Sequence, residues 1–540
     1  MACTAPAPSA SVGGSEALGA PKVNRLVFAI EPLAIESNNV RTICCHDVMQ
    51  LRPMYENLIG TDAKTGKHIP QLSTEWTVAP DFRQVRFKLR KGVRFNGGDQ
   101  WGEFGAKDVV YAYNNFVGNA DSHNWTLWWK NIVNRIEVVN DHEVVFHINP
   151  HVSFFNAISE NYYQLPMNSK AHFDTLGDPK DMSVPPHPGT GAYQYAERQL
   201  QVGIRYERVP YQHWRVTPDF PELEYRWIKE ASTRLAGLLT GEIHMTKLPT
   251  DQKVQAERAG MRLITNTDPG PRVFGQMGCC YNPDWQNYNV AWPRHPESAW
   301  LNVKVRQALN KALDREALRR AFAPSGEPMF VNHFRPNWPG WNPDWERRFP
   351  DMYGYDPAKA KALLAEAGYS PWQGPPIVIN MLDILQLSNA NDMAEAVAGY
   401  WRTIGVPVEF NSADAATRTA QTRAFRLWNH WSMTSTGSDQ VYAMQVYNFG
   451  STKTPTVNGY MPPQIVKAYD EDVVPQMNPA KLEPSLRKLG DWMFDNFAQF
   501  PFFYNNIELY VNPSIVKEYN YPGNGMHSTY TQVEQVKAVR

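Results

Sequence analysis

Net charge is almost absent from this 540-residue chain: 53 Lys and Arg stand against 54 Asp and Glu, leaving −1. A broad nucleic-acid surface needs a basic excess, so that class is excluded. Cysteine is scarce, with five residues at positions 3, 44, 45, 279 and 280, and no CxxC spacing occurs. A zinc ribbon or finger therefore has no ligand set. No apolar run approaches the roughly 18–20 residues that span a bilayer. Enzyme signatures are missing too: there is no GxSxG elbow, no P-loop and no GxGxxG behind a strand. His142-Glu143 opens like a zincin helix, but position 146 is Phe and the second ligand is lacking. Only a pair of carboxylates that meet in space stays open as a catalytic device, because sequence spacing does not reveal it.

What the chain has in excess is aromatic and proline content: aromatics make up 12% and prolines number 42. Disordered chains are poor in aromatics, so a folded protein is expected. At about 100–200 residues per domain the length predicts roughly three to five domains. This profile suits binding or hydrolysing a polar organic ligand. Residues 1–21 are mostly Ala, Pro, Ser, Gly and Thr and read as a flexible tether. Ala2-Cys3 ahead of such a tether resembles the end of a bacterial lipoprotein signal, with Cys3 the lipidated residue. The alternative is a chance cysteine in a tail.

Local patterns mix helices and strands, which gives an α/β or α+β class. Val85, Phe87 and Leu89 alternate with Arg86, Lys88 and Arg90, a half-buried strand. Met49–Leu58 and Lys107–Phe116 read as helices, and Asn140-Asp141 as a hairpin turn. Ser232–Leu239 reads as a helix ending before Gly241. Asp356-Pro357 caps a helix that Gly368 ends. Pro376–Met381 carries no charge and only one polar residue, Asn380, so it is expected to be buried on both faces.

Seven segments together resemble the family 5 extracellular solute-binding proteins, the receptors of peptide, nickel and oligosaccharide ABC importers. They are Met54–Leu58, Phe87–Phe95 with Ala106–Val109 after it, Pro188–Tyr193, Leu239–Ile243, Val303–Arg315, Tyr355–Gly368 and Gly405–Glu409. Each is weak alone; their common order over about 22–510 carries the resemblance.

The resemblance implies an α/β, two-lobe periplasmic-binding-protein fold of the hinged class II type, with an extra subdomain inserted in the first lobe. Residues 22–50, 189–272 and 500–540 would form lobe I, 51–188 the inserted subdomain and 273–499 lobe II. Ligand would bind by hinge closure. In peptide-binding relatives a Gly-Trp-x-x-Asp strand meets the ligand. The matching stretch is His430-Trp431-Ser432-Met433-Thr434, so Trp431 is expected to stack on ligand, and Thr434 stands where the acidic anchor would be. An ordinary peptide amino terminus then lacks its counter-charge, unless Asp439 takes that role. Alternation puts Asn429 on the face of Trp431, and Trp428 with His430 on the other. Family position adds Glu31, Cys45, His46, Tyr504 and Asn506 as cleft residues. Cys44 or Cys45 could bond to Cys279 or Cys280; four reduced thiols are the alternative. Trp285, Trp292, Trp338, Trp341 and Trp345 are either sugar platforms or loop packing.

The expected function is therefore a non-enzymatic substrate-binding protein of an ABC importer that captures an oligosaccharide, a sugar conjugate or a peptide. It would need no metal and no cofactor. Its partners would be the solute and the membrane permease subunits, not nucleic acid, with membrane contact only through a lipid anchor. It would act as a monomer in the periplasm or on the outer face of the membrane. The alternatives are a secreted carboxylate-pair hydrolase and a broad-specificity, chaperone-like peptide binder.

Overall fold

The computed structural model describes residues 20–540 apart from 34, 44, 119–124, 162–164, 180–183, 267–270, 279–294, 296, 383, 385–386, 388, 415–416, 418–419, 422–425, 438–439, 445–461 and 521–530. Three main sheets organise these residues. The first is built around the strand Arg25–Ile30, which runs parallel to Glu222–Trp227 on one side and to Met245–Thr246 on the other. Gly203–Arg208 and Tyr193–Gln199 extend it antiparallel at one edge, Glu508–Val511 and Arg262–Thr265 at the other. The central strand RLVFAI is buried along nearly its whole length, as a parallel strand covered on both faces must be.

The second sheet runs in the order Glu327–Pro328, Phe500–Tyr504, Arg272–Met277, His430–Thr436, Ile377–Asn380 and Val408–Asn411. Its last three strands are mutually parallel. One face is apolar. Trp431 and Met433 pack there with Ile379, Phe500 and Phe502 against helix residues Leu309, Val397 and Trp401. Burying side chains of this size contributes about 1.5–3 kcal/mol each, so this face holds the lobe together. The third sheet, antiparallel, joins Ser73–Val78, Gln84–Leu89, Glu143–Ile148 and Val133–Asn140. Gln84–Leu89 alternates exposed and buried as its sequence predicts, with Val85, Phe87 and Leu89 in a core shared with Val109 and Phe116 of the helix Ala106–Gly118.

Local signals explain most element ends. Asp356 accepts a hydrogen bond from the Lys359 N–H at 2.8 Å, capping the helix Pro357–Glu366. The helix Ala231–Thr240 ends at Gly241 in the left-handed region, φ 84°, where glycine costs least. The expected helix over Met49–Leu58 does not form. Two short 3₁₀ turns, Cys45–Gln50 and Arg52–Met54, lead into extended chain. Pro53 has no N–H to give, and the Met54 carbonyl accepts from Gly191 N at 2.8 Å and Asn96 Nδ2 at 3.1 Å instead.

The chain passes between the two large sheets twice, from Thr265 to Arg272 and from Tyr504 to Glu508. Asn505 N donates to Pro271 O at 2.7 Å, Asn266 N to Ile507 O at 3.3 Å, and Ile507 N to Asn266 Oδ1 at 2.7 Å. The two crossings are thus fastened to each other. The second starts after Tyr504 rather than at 500, because Phe500–Tyr504 pairs with Arg272–Gly275 inside the second sheet.

Candidate functional site between the carboxyl edges of two sheets

Strand direction locates the site. In the second sheet Arg272 lies opposite Thr436, so the crossings enter at the carboxyl end of His430–Thr436. In the first sheet Thr265 lies opposite Glu508 and Thr246 opposite Tyr510, so the crossings leave beside the carboxyl end of Met245–Thr246. The carboxyl ends of His430–Thr436 and of Met245–Thr246 therefore border the same two crossing segments, while Ile377–Asn380 and Val408–Asn411 end level with Ser432, four residues short of Thr436. Crevices outside such edges are where open α/β sheets bind ligands.

The edge of the first sheet is ionic. Arg234, almost fully buried, donates to Glu31 Oε1 at 2.9 Å and to the carbonyls of Ile228, Lys229 and Lys247 at 2.7, 2.9 and 3.3 Å. It thereby ties the ends of three strands together. Burial holds the Lys247 ammonium below its ordinary pKa, an effect the nearby Glu31 opposes and Arg234 reinforces.

In the second sheet Arg272 stands beside Thr436 at the crossing, but the ends of the two outer parallel strands are neutral. Asn380 and Asn411 end their strands side by side, and Asn411 Nδ2 donates to Asn380 Oδ1 at 2.8 Å and to Gln421 Oε1 at 3.2 Å. Asn380 in turn meets His430 Nδ1 at 2.9 Å and donates to Ser432 Oγ at 2.8 Å. Burial pushes the His430 imidazole down to about 4, so it is uncharged at neutral pH. His430, Ser432 and Thr434 occupy one half-buried face of their strand, and Trp431 and Met433 the other.

This parity corrects the expectation for Trp431. The ring is fully buried on the core side, edge-on to Trp401 at 5.3 Å, Phe500 at 6.1 Å and Phe502 at 6.2 Å. A Cβ on Gly275 would meet that ring at 2.3 Å, so the neighbouring strand is shaped around it. Asn429 and Trp428 precede the strand at its far end, roughly 23 Å of extended chain from Thr436. Asn429 Nδ2 donates to Pro376 O at 3.0 Å, and Trp428 stacks on His295 at 4.4 Å. Both serve local packing away from the crossings.

Tyr504 is buried at the crossing, its hydroxyl donating to Phe334 O and its ring beneath the Arg335 guanidinium. Asn506 Nδ2 donates to Ser325 O at 2.9 Å, joining a crossing to the second lobe. Cys45 begins a 3₁₀ turn that includes His46, and the side chains of both lie outside the described residues. So do Cys3, Cys44, Cys279, Cys280 and Asp439, and with them the lipidation site and the disulfide pairing. Trp285 and Trp292 lie outside as well. Trp345 belongs to the helix Pro343–Tyr353 and is fully buried against Phe334 and Trp341, with Nε1 donating to Asp491 at 2.8 Å. Trp338 lies under Arg272 and Arg335.

Sequence reading missed Arg234, Lys247, Asn411 and Ser432 as members of these edges. Asn380 had a signal, as the one polar residue in an apolar strand. Among the described residues no group of three or more His, Cys, Asp or Glu side chains could hold a metal ion, and no helix is long and apolar enough to cross a membrane.

Residues 67–454 match the model of the bacterial extracellular solute-binding proteins, family 5 (middle region), and the chain belongs to that family. It is 26% identical over 371 residues to a dipeptide-binding protein of Escherichia coli K12, covering 66% of this chain and 65% of that relative. It is 27% identical over 368 residues to heme-binding protein A of Haemophilus influenzae, covering 64% and 62%. These matches span just under two thirds of each relative's length. The periplasmic binding protein AgaA of A. tumefaciens R10, solved with agropinic acid, superimposes with a TM-score of 0.71 at 19% identity, covering 96% of this chain and 99% of that one. The fold is thus the two-lobe periplasmic-binding-protein fold.

Proposed function

We propose that this chain is the solute receptor of an ABC importer, a binding protein rather than an enzyme, acting outside the cytoplasmic membrane. The observation that carries this reading is the meeting of two carboxyl edges at one pair of fastened crossings. A solute lodged between them touches both lobes only when they close, which makes closure a population shift driven by ligand. Family membership supports the same reading. The solute class is a small polar molecule, with peptides favoured by the dipeptide-binding relative and sugar conjugates or oligosaccharides kept by the neutral edge of the second sheet. The chain would work as a monomer with permease subunits, anchored through Cys3 if that residue is lipidated.

Native mass spectrometry of the purified protein, together with small-angle scattering before and after unfolding and refolding, tests this. One solute molecule per chain and a more compact particle in the loaded state are expected. A single compact state with no bound solute, or turnover of whatever binds, would overturn the reading.

A further inference from the structure

The hydrogen-bond polarity of the second edge is fixed by one backbone group. Ala413 N–H, which can only donate, points to Asn411 Oδ1 at 3.3 Å. Asn411 Nδ2 must therefore face Asn380, which makes the facing atom Oδ1, at 2.8 Å. That oxygen also meets His430 Nδ1 at 2.9 Å, so Nδ1 carries the imidazole proton and Nε2 keeps a bare lone pair. Nε2 has no hydrogen-bond partner among the described residues, and the residue is half-buried. The remaining Asn380 atom, Nδ2, donates to Ser432 Oγ at 2.8 Å, so the Ser432 proton is directed to another acceptor. One amide thus leaves an acceptor on His430 and a donor on Ser432, two residues apart on one half-buried strand face.

We propose that this face is a ligand subsite for an uncharged group that both donates and accepts a hydrogen bond, a hydroxyl or a carboxamide. His430 Nε2 is its acceptor and the Ser432 hydroxyl its donor. The proposal rests on the receptor reading above and names what part of the solute the second lobe reads. The chemistry around the face agrees. The strands IVIN, HWSMTST and RVFGQM contain no Asp or Glu, and the one carboxylate of the adjoining strand Val408–Asn411, Glu409, is exposed and in register with Val378. The one ordinarily charged residue of those first three strands, Arg272, is in register with Thr436, four residues and roughly 13 Å beyond Ser432. An ammonium or carboxylate placed on His430 and Ser432 would lose water without gaining a counter-charge. Burial that keeps the imidazole neutral removes the one charge the pair could have offered.

The test is nitrogen-15 NMR of histidine-labelled protein, stripped of solute by unfolding and refolding, at pH 7. The probes are sucrose for the hydroxyl source, N-acetylglycinamide for the amide source, and sodium acetate and methylammonium chloride as charged controls. His430 is expected to show the Nδ1–H tautomer, and its Nε2 resonance to move with sucrose or N-acetylglycinamide and not with the charged probes. The probe giving the larger shift identifies the source. Ser432→Ala is expected to weaken that response at least threefold while leaving the tautomer in place, and Asn380→Asp to disturb the tautomer itself. An Nε2–H tautomer, an imidazolium, equal shifts from charged and neutral probes, or no shift from either neutral probe would overturn the proposal. The receptor reading fails separately: if purified wild-type protein carries a solute that Ser432→Ala and His430→Phe retain in equal proportion, only the subsite is lost.

Discussion

The carboxyl ends of the parallel strands in the first sheet, and those of Ile377–Asn380 and Val408–Asn411 in the second, are built from opposite chemistry. In the first lobe a buried guanidinium gathers three strand ends and a carboxylate, with an ammonium beside them. In the second lobe two amides, a neutral imidazole and a hydroxyl do the corresponding work without formal charge. Charges held this way are costly to disturb, because a lost partner strands the other in low dielectric. Neutral networks are cheaper to break but directional, since each donor has one acceptor. The first edge is suited to fixing the lobe's shape, the second to reading a solute.

That contrast can be broken at either side. Arg234→Ala removes the guanidinium that satisfies three carbonyls and Glu31, and is expected to cost about 3 kcal/mol by denaturant unfolding. A loss under 1 kcal/mol would make the ionic edge incidental. Asn380→Leu deletes the amide that serves His430, Asn411 and Ser432, with an expected loss of roughly 2 kcal/mol in the same assay.

Acid and alkali separate the edges further. His430 has a folded pKa lowered to about 4, so its contribution is present above the unfolded value near 6.5 and is lost as pH falls from there toward 4. Buried His151 and His172 shift in the same direction, so the measurement is the difference between wild type and His430→Gln, whose acid loss should be shallower by about one proton. Lys247 also has a lowered pKa, and its sign places the change at the other end: stability rises as pH climbs toward the unfolded value near 10.4. Lys247→Met should flatten that alkaline rise and leave the acid limb alone. The smallest stability effect is expected from Thr434→Asp, within about 0.5 kcal/mol at a half-buried position. It makes the second edge ionic, so the neutral-probe response of His430 should fall.

Much of the architecture was legible because it depends on short-range rules. Alternation at Val85, Phe87 and Leu89 set a strand face, and Asp356 and Gly241 marked helix ends. The ordered family segments indicated two lobes and a hinge. Trp431 shows where such reasoning ends: its resemblance suggested a ligand platform, yet its place on the strand turns it toward Trp401 and Phe500, residues distant in sequence. The start of the second crossing was likewise displaced, since only pairing with Arg272–Gly275 reveals that Phe500–Tyr504 completes the second sheet.

By itself the sequence determined the class of this protein: near-neutral, free of catalytic signatures, α/β, and built of segments in the family's order. Those properties follow from composition and from interactions within a few residues of the chain. Tertiary structure decided which residues meet at the strand ends and with what polarity. Arg234 reaches Glu31 across 203 positions, and the direction of every bond from Asn411 to Ser432 descends from one backbone amide at Ala413. Such meetings depend on strand order, register and the face each side chain is given, and these are fixed only when the sheets assemble.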